Sequence, residues 1–195
     1  MNAILDEAFH CHVGFVVEGQ PFVVPTVHAR VEELLYIHGS VASRMLRTLR
    51  SGVSVCVTVT LLDGLVLARS AFHHSMNYRS VMILGTATEV NTEDEKHRAL
   101  TAVVNHVLPG RAAQVRSPDA TELAATTVLS LPITEASAKI RTGPPLDAEA
   151  DYALSCWAGV LPLELTALPA LPDPRLPSGV PVPDTVASFR RGARR

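Results

Sequence analysis

Tyr36-Ile37-His38-Gly39-Ser40-Val41-Ala42-Ser43-Arg44 is where the chain changes its period. Leu34 to His38 is aromatic, aliphatic and strand-like. Beyond Gly39, the residues Val41, Met45, Leu46 and Leu49 fall on one helical face. Ser40 is placed to cap that helix, and Gly52 is placed to end it. A helix N-terminus presents unpaired N–H groups and a partial positive charge, on which anions bind. Ser40 and Ser43 add hydroxyls there, and Arg44 adds a fork that can clasp a phosphate through two hydrogen bonds. The same residues also suit an ordinary capped helix with one exposed arginine, and local chemistry leaves both readings open.

Upstream, Asn2 to Ala8 reads as a short helix with Asn2 as its cap. His12 to Val17 and Phe22 to Val31 read as strands joined by Glu18-Gly19-Gln20, and Glu32-Glu33 turns into the strand before the junction. Strands so closely spaced imply antiparallel hairpins. Downstream, Val53 to Leu61 alternates Val with Ser, Cys and Thr. Asp63-Gly64 reads as a break before Leu65 to Ala68, and Val81 to Val90 is a further strand. Thr92-Glu93-Asp94-Glu95 has the form of a capping box. The helix it opens would bury Leu100, Val103, Val104 and Val107 and stop at Pro109-Gly110. Ser117-Pro118 reads as a cap with proline at the first helical position. Thr127 to Ile133 is a strand that Ala138 to Arg141 extends or follows. About six strands with helical trim predict a mainly β fold, a closed or partly open antiparallel barrel.

Composition shifts beyond Gly143. Seven of the 14 prolines lie at or after Pro162, so the tail is expected to be extended, wrapping the body or a partner subunit. The reading therefore divides the chain into a barrel domain over 1–162 and a proline-rich extension over 163–195. The end, Arg190-Arg191-Gly192-Ala193-Arg194-Arg195, reads as frayed.

The 195 residues suffice for one sizeable core, and 47% of them are hydrophobic. A net charge of −2 gives no global pull toward nucleic acid or an anionic membrane. Cys11, Cys56 and Cys156 are odd in number and widely spaced, which suits reduced thiols in the cytoplasm. No signal peptide is expected from the first residues, and no apolar run is long enough to span a bilayer.

Two other groups carry polar chemistry. Ser75-Met76-Asn77-Tyr78-Arg79-Ser80-Val81 enters a strand, with Tyr78 and Ser80 on one face and Arg79 on the other. Such a face can hydrogen-bond a heterocycle, or it can be a solvated rim. The histidines show no HExxH or CxxC spacing, so no metal site is expected. His10 and His12 share a strand face, and His73 and His74 are adjacent. No dinucleotide fingerprint, phosphate loop or nucleophile elbow occurs.

Taken in order, these segments resemble the pyridoxamine 5′-phosphate oxidase-like superfamily, in particular its flavin-nucleotide-binding, nitroimidazole-resistance-type branch. The resemblance rests on Ile4-Leu5-Asp6-Glu7-Ala8, His12-Val13-Gly14-Phe15, Pro25-Thr26 and Leu35-Tyr36-Ile37-His38-Gly39-Ser40. Tyr78-Arg79-Ser80-Val81, Lys139 to Pro145 and Trp157-Ala158-Gly159-Val160 complete it. It implies a six-stranded antiparallel split β-barrel that forms a homodimer with FMN at the subunit interface. It further implies that Ser43 and Arg44 hold the phosphate, with Ile37 and His38 beside the ribityl-phosphate. Thr26, Val27 and His28 would approach the flavin ring, Tyr78, Arg79 and Ser80 would contact it, and Trp157 would close the site. The basic segment with which the true oxidases hold pyridoxal phosphate has no counterpart in the proline-rich tail, and Met45 stands where they carry a further basic residue. The resemblance thus implies a flavin-dependent oxidoreductase with another small-molecule substrate, its catalytic residues unassigned. A non-catalytic flavin carrier and a haem-binding split barrel are the alternatives.

Overall fold

The computed structural model describes residues 1–190. Nine strands, all paired antiparallel, form one curled sheet: β1 (His10–Val17), β2 (Gln20–Val31), β3 (Leu34–Ser40), β4 (Ser54–Leu67), β5 (Ser75–Thr86), β6 (Thr88–Glu89), β7 (Thr126–Pro132), β8 (Glu135–Arg141) and β9 (Gly159–Pro162). The order is β6-β7-β3-β2-β1-β4-β5-β8, with β9 on the far end of β4. The split-barrel fold is as expected, but the six-strand count is too low. Two-residue β6, polar β8 and four-residue β9 lack the apolar alternation that reveals a strand.

β2 joins the two halves of the barrel. Its first part pairs with β1, through His10↔Val27, and its last part with β3, from His28↔Ile37. The main core lies inside the curl, where Leu5, Val13, Leu35, Leu46, Leu49, Val57, Val59, Ile83 and Leu129 are almost wholly buried. Each such side chain contributes about 1.5–3 kcal/mol relative to exposure. A smaller cluster of Tyr36, Val90, Ala99 and Val128 lies on the other face of β3 and β7. It packs under α3 (Glu93–Val107). α1 (Asn2–Glu7) plugs one end of the curl with Ile4 and Leu5.

Local signals were displaced in several places. α2 (Arg44–Arg50) starts one turn later than expected, and Ser43 rather than Ser40 caps it. Asp63-Gly64 does not break β4 but forms a bulge between Leu62 and Gly64, and the strand continues through it. Thr92 makes no side-chain cap bond to α3, and the box forms instead at α4 (Ala120–Ala124), between Asp119 and Glu122. In the N-terminal helix Met1, not Asn2, occupies the cap position. Val107, expected in the core, is 47% exposed. Asp119→Ala removes the bond to the Glu122 N–H and should cost about 1 kcal/mol, read by urea denaturation.

Arg116 lies against Glu122 on the surface, and its hydrogen bonds hold that carboxyl down to about 2. Burial pushes the Cys11 thiol up to about 12, so it is an inert core group. After β9 the chain runs without ladder partners, but turns near 174–175 and 178–179 and the short helix α5 (Asp184–Ala187) interrupt the extended, non-helical course expected of the tail. Of the end expected to fray, only Arg190 lies among the described residues. Among the described residues, no helix is long and apolar enough to cross a membrane.

Candidate functional site

The site is built where β2 and β3 part. Val27 is the last β2 residue paired with β1, and His28 is the first paired with β3. Upstream of His28, β2 makes no ladder on its β3 side. Beyond Ile37, β3 pairs only with β7. The split thus opens an edge at Thr26-Val27 opposite His38-Gly39-Ser40, and peptide groups on such an edge are free to hydrogen-bond a ligand.

α2 closes one end of this opening. The Ser43 N–H donates to the Ser40 carbonyl at 2.9 Å, and the Ala42 N–H to Ser40 Oγ at 3.2 Å. Ser43 Oγ accepts from the Leu46 N–H. A side chain at Gly39 would come within 3.1 Å of Leu46 Cδ1, so glycine lets β3 and α2 pack closely. Arg44 is exposed and lies over the Phe22 ring, Cζ 4.4 Å from its centroid. This cation–π contact fixes the arm and uses none of its N–H donors. Among the described residues no carboxylate pairs with it.

The predicted residues divide into groups. Thr26, Val27, Ser43 and Arg44 gather around the split, and His38 borders it only through its backbone. Ile37 belongs to the strand end, but its side chain is buried in the core. His28 is fully buried, with Nε2 2.9 Å from the Leu5 carbonyl and its ring 4.6 Å from that of His106. Its side chain thus ties β2 to α1 and α3, and only its backbone borders the split. His38 turns toward α3 and lines a cavity of about 430 Å³ with Leu100, Val103, Val104 and Thr126. Burial lowers its pKa, so the imidazole is neutral at pH 7.

Tyr78 and Ser80 share the outward face of β5, as alternation required, and β1 and β4 separate β5 from β2 in the sheet order. Arg79 points the other way. Its guanidinium holds Glu7 through Nη2 at 2.7 Å and Asp63 through Nε and Nη2 at 2.8 Å. These bonds, Glu7 first, raise its pKa above that of an ordinary arginine. The three residues line a cavity of about 580 Å³ with His10, Thr60 and Leu163. Trp157 is 70% exposed, its ring against Gly159.

A further group escaped the sequence reading. Arg69 binds Asp147 through its backbone N–H at 2.9 Å and Nη1 at 3.0 Å, and its guanidinium lies over the Tyr152 ring. Burial alone would raise the Asp147 carboxyl, but these hydrogen bonds outweigh it and hold the pKa low. This contact brings the turn at Ala71–His73 beside the loop after β8. There His73, Asp147 and Asp151 offer ligand atoms within 4.8 Å of one another. His74 Nδ1 lies 2.9 Å from the Ser70 carbonyl. A carbonyl only accepts, so Nδ1 carries the proton and Nε2 keeps its lone pair. Phe72 is 89% exposed. Residues 78 apart in sequence meet here, as Arg69 and Asp147 do, so no spacing motif could have revealed the group.

The sequence profile of the pyridoxamine 5′-phosphate oxidase family matches residues 1–140. No curated protein matches the chain. Among solved structures, the flavocytochrome Anf3 from Azotobacter vinelandii is 46% identical, with a TM-score of 0.91 over 98% of this chain and 89% of that one. A FAD- and haem-binding protein from Mycobacterium smegmatis is 38% identical, with a TM-score of 0.93 over 97% and 93%. A candidate 5-nitroimidazole antibiotic resistance protein from Bacteroides thetaiotaomicron is 26% identical, with a TM-score of 0.57 over 70% and 80%.

Proposed function

The chain belongs to the pyridoxamine 5′-phosphate oxidase family, and from that premise we propose that it is a redox protein carrying a flavin nucleotide and a haem. The observation that carries this reading is the extent of the likeness. The two solved chains described as a flavocytochrome and as a FAD- and haem-binding protein match nearly the whole chain, extension included, whereas the nitroimidazole-type relative spans 70%. Flavin and haem, which the sequence left as alternatives, are then joint cofactors. A barrel over 1–162 with an added extension from 163 is part of this proposal.

The flavin fits the split between β2 and β3. Arg44 is the cation for its phosphate, held in place by Phe22 and lacking a carboxylate partner. Ser43 opens the helix beside it. The edge peptides at Thr26 and Val27 are placed to bond the ring, and neutral His38 lies at the end of β3. FMN, the species implied by the family resemblance, gives way to FAD in this proposal because of the Mycobacterium smegmatis relative. Tyr78, Ser80 and Trp157 lie outside the split in a single copy. They reach the flavin if a second copy supplies them, as in a homodimer with the cofactor at its interface. Arg79, bound to two carboxylates, serves the barrel rather than the flavin.

The haem fits the face around the turn at Ala71–His73. His74 presents Nε2 with its tautomer already set by the Ser70 carbonyl, the arrangement that orients a metal-ligating imidazole. Phe72 and Tyr152 supply exposed aromatic surface for a flat apolar group. Bound flavin and haem would supply the electron transfer itself. The chain supplies binding, orientation and exclusion of water.

The purified protein should show a flavin spectrum and a Soret band together. Flavin released by heat should fluoresce more strongly after phosphodiesterase treatment if it is FAD, and no more strongly if it is FMN. His74→Ala should abolish the Soret band and keep the flavin, whereas an unaltered haem spectrum would place the ligand elsewhere. Colourless protein that gains no thermal stability from added flavin would overturn the proposal. Reduction of the flavin by NAD(P)H, followed by turnover of nitro, quinone or aldehyde acceptors, would separate an enzyme from a carrier.

A further inference from the structure

We propose that residues 164–183 form a strap that clasps a second copy of this chain, with Leu165, Leu168 and Leu171 seated on the outward face of that copy's sheet. The inference rests on the homodimer reading above and assigns that reading a surface. Both ends of the strap are fixed to its own body. At the start, β9 pairs with β4 and the Leu163 N–H donates to the Asp63 carbonyl at 3.1 Å. At the end, the Gln114 side chain donates to Thr185 Oγ1 at 3.1 Å, and the Phe189 ring lies 6.1 Å from that of Phe9.

Between these anchors the leucines face outward. Leu165 is 74% exposed, Leu168 83% and Leu171 92%. Their spacing is three, and proline follows two of them, at Pro169 and Pro172. In a polyproline-type conformation, with three residues per turn, that spacing places all three on one edge. A leucine edge turned to water on a segment fixed at both ends is an unmet apolar surface. The course of the strap is not arbitrary either. A TM-score of 0.93 over 97% of the chain cannot be reached if a segment this long runs differently in the two proteins. Leu165 borders the cavity beside Arg79 on its own body, but among the described residues little covers Leu168 and Leu171, so the middle of the strap takes its course against something else.

The same chain carries a surface that fits. The registers Val16↔Pro21, Gly14↔Val23, Gly14↔Cys56, Thr58↔Met82 and Leu65↔Met76 put Val16, Val23, Met82, Leu65 and Met76 on the outward side of β1, β2, β4 and β5. Alternation adds Leu62 to that side. These six residues are 36% to 67% exposed. A chain that holds both an apolar edge and an apolar face can satisfy both at once in a two-fold dimer, where each copy gives its strap and receives the other's. The strap follows β9, which pairs with β4, so it is placed to reach a neighbour seated on this face.

The test replaces Leu168 with photoreactive p-benzoylphenylalanine in the full chain and mixes isotope-labelled with unlabelled protein. Irradiation should join unlabelled strap peptides to labelled peptides from β1, β2, β4 or β5. Crosslinks confined to one chain, or none, would overturn the proposal. Leu165→Ser, Leu168→Ser and Leu171→Ser together should raise the dimer dissociation constant at least a hundredfold in sedimentation. Because these side chains are exposed, the body should keep its far-UV circular dichroism, and an unchanged dissociation constant would also overturn the proposal. Cofactor content is read separately. Flavin-free protein that crosslinks between copies overturns the cofactor reading alone, and flavin-loaded protein that does not crosslink overturns the strap alone.

Discussion

Arg79→Met should destabilise the fold by about 3 kcal/mol and lower Tm by roughly 10 °C, read by urea and thermal denaturation. Arg79 joins three elements that are distant in the chain, Glu7 on α1, Asp63 at the β4 bulge and its own place on β5. Its side chain is 23% exposed, as is that of Glu7, and Asp63 is 10% exposed. Removing the cation takes away the charge-assisted hydrogen bonds that both carboxylates accept from it at the rim of a cavity. For a fully buried pair the loss would be about 3–5 kcal/mol. Partial exposure lets water and salt screen the remaining charges, which sets the value at the lower end. The triple variant Glu7→Gln, Asp63→Asn, Arg79→Met removes both carboxylate charges together with the cation and should recover most of the loss. A single variant as stable as the wild type would show that the ion-pair group is incidental. If the triple variant is no better than the single one, the lost packing of the arginine stem, and not charge, is what matters.

Arg79 also shows how far sequence reasoning reaches. Alternation along Tyr78-Arg79-Ser80 assigns the faces correctly, because side-chain direction in a strand is local. It does not name the partners of Arg79, since Glu7 lies 72 residues away. The β3-to-α2 corner was legible for the opposite reason. Caps and periodicity act over a few residues, and only the cap itself was misassigned, to Ser40 in place of Ser43. Extension of β3 through Ser40, paired with Thr126, decided it by keeping Ser40 in the sheet. Asp63-Gly64 carries a strong turn signal, yet pairing with β5 on one edge and β9 on the other carries the strand through as a bulge. Tertiary pairing overrode local propensity there. The edge at Thr26-Val27 depends on where β2 transfers from β1 to β3. That transfer is a register between strands, and no single segment records it.

Arg44→Ala should weaken flavin binding by about 1.5–3 kcal/mol, a loss of roughly 10- to 150-fold in affinity, read by fluorescence titration of the flavin-stripped protein. The effect follows from what Arg44 does in the absence of ligand. Among the described residues it pairs with no carboxylate, and its guanidinium lies over the Phe22 ring. A guanidinium held this way has lost part of its rotamer freedom before the phosphate arrives, so less is lost on binding. Stability of the flavin-free protein should change little, because only an exposed cation–π contact of about 0.5–1 kcal/mol is removed. Arg44→Lys keeps the charge and loses the fork, and should recover part of the affinity. Phe22→Leu keeps the apolar surface and releases the arm. It should weaken binding less than Arg44→Ala does, and by more when Arg44 is present than when it is absent. If the two substitutions prove independent, Phe22 does not position the arginine. If Arg44→Ala leaves flavin affinity unchanged, the phosphate is held elsewhere than at the start of α2.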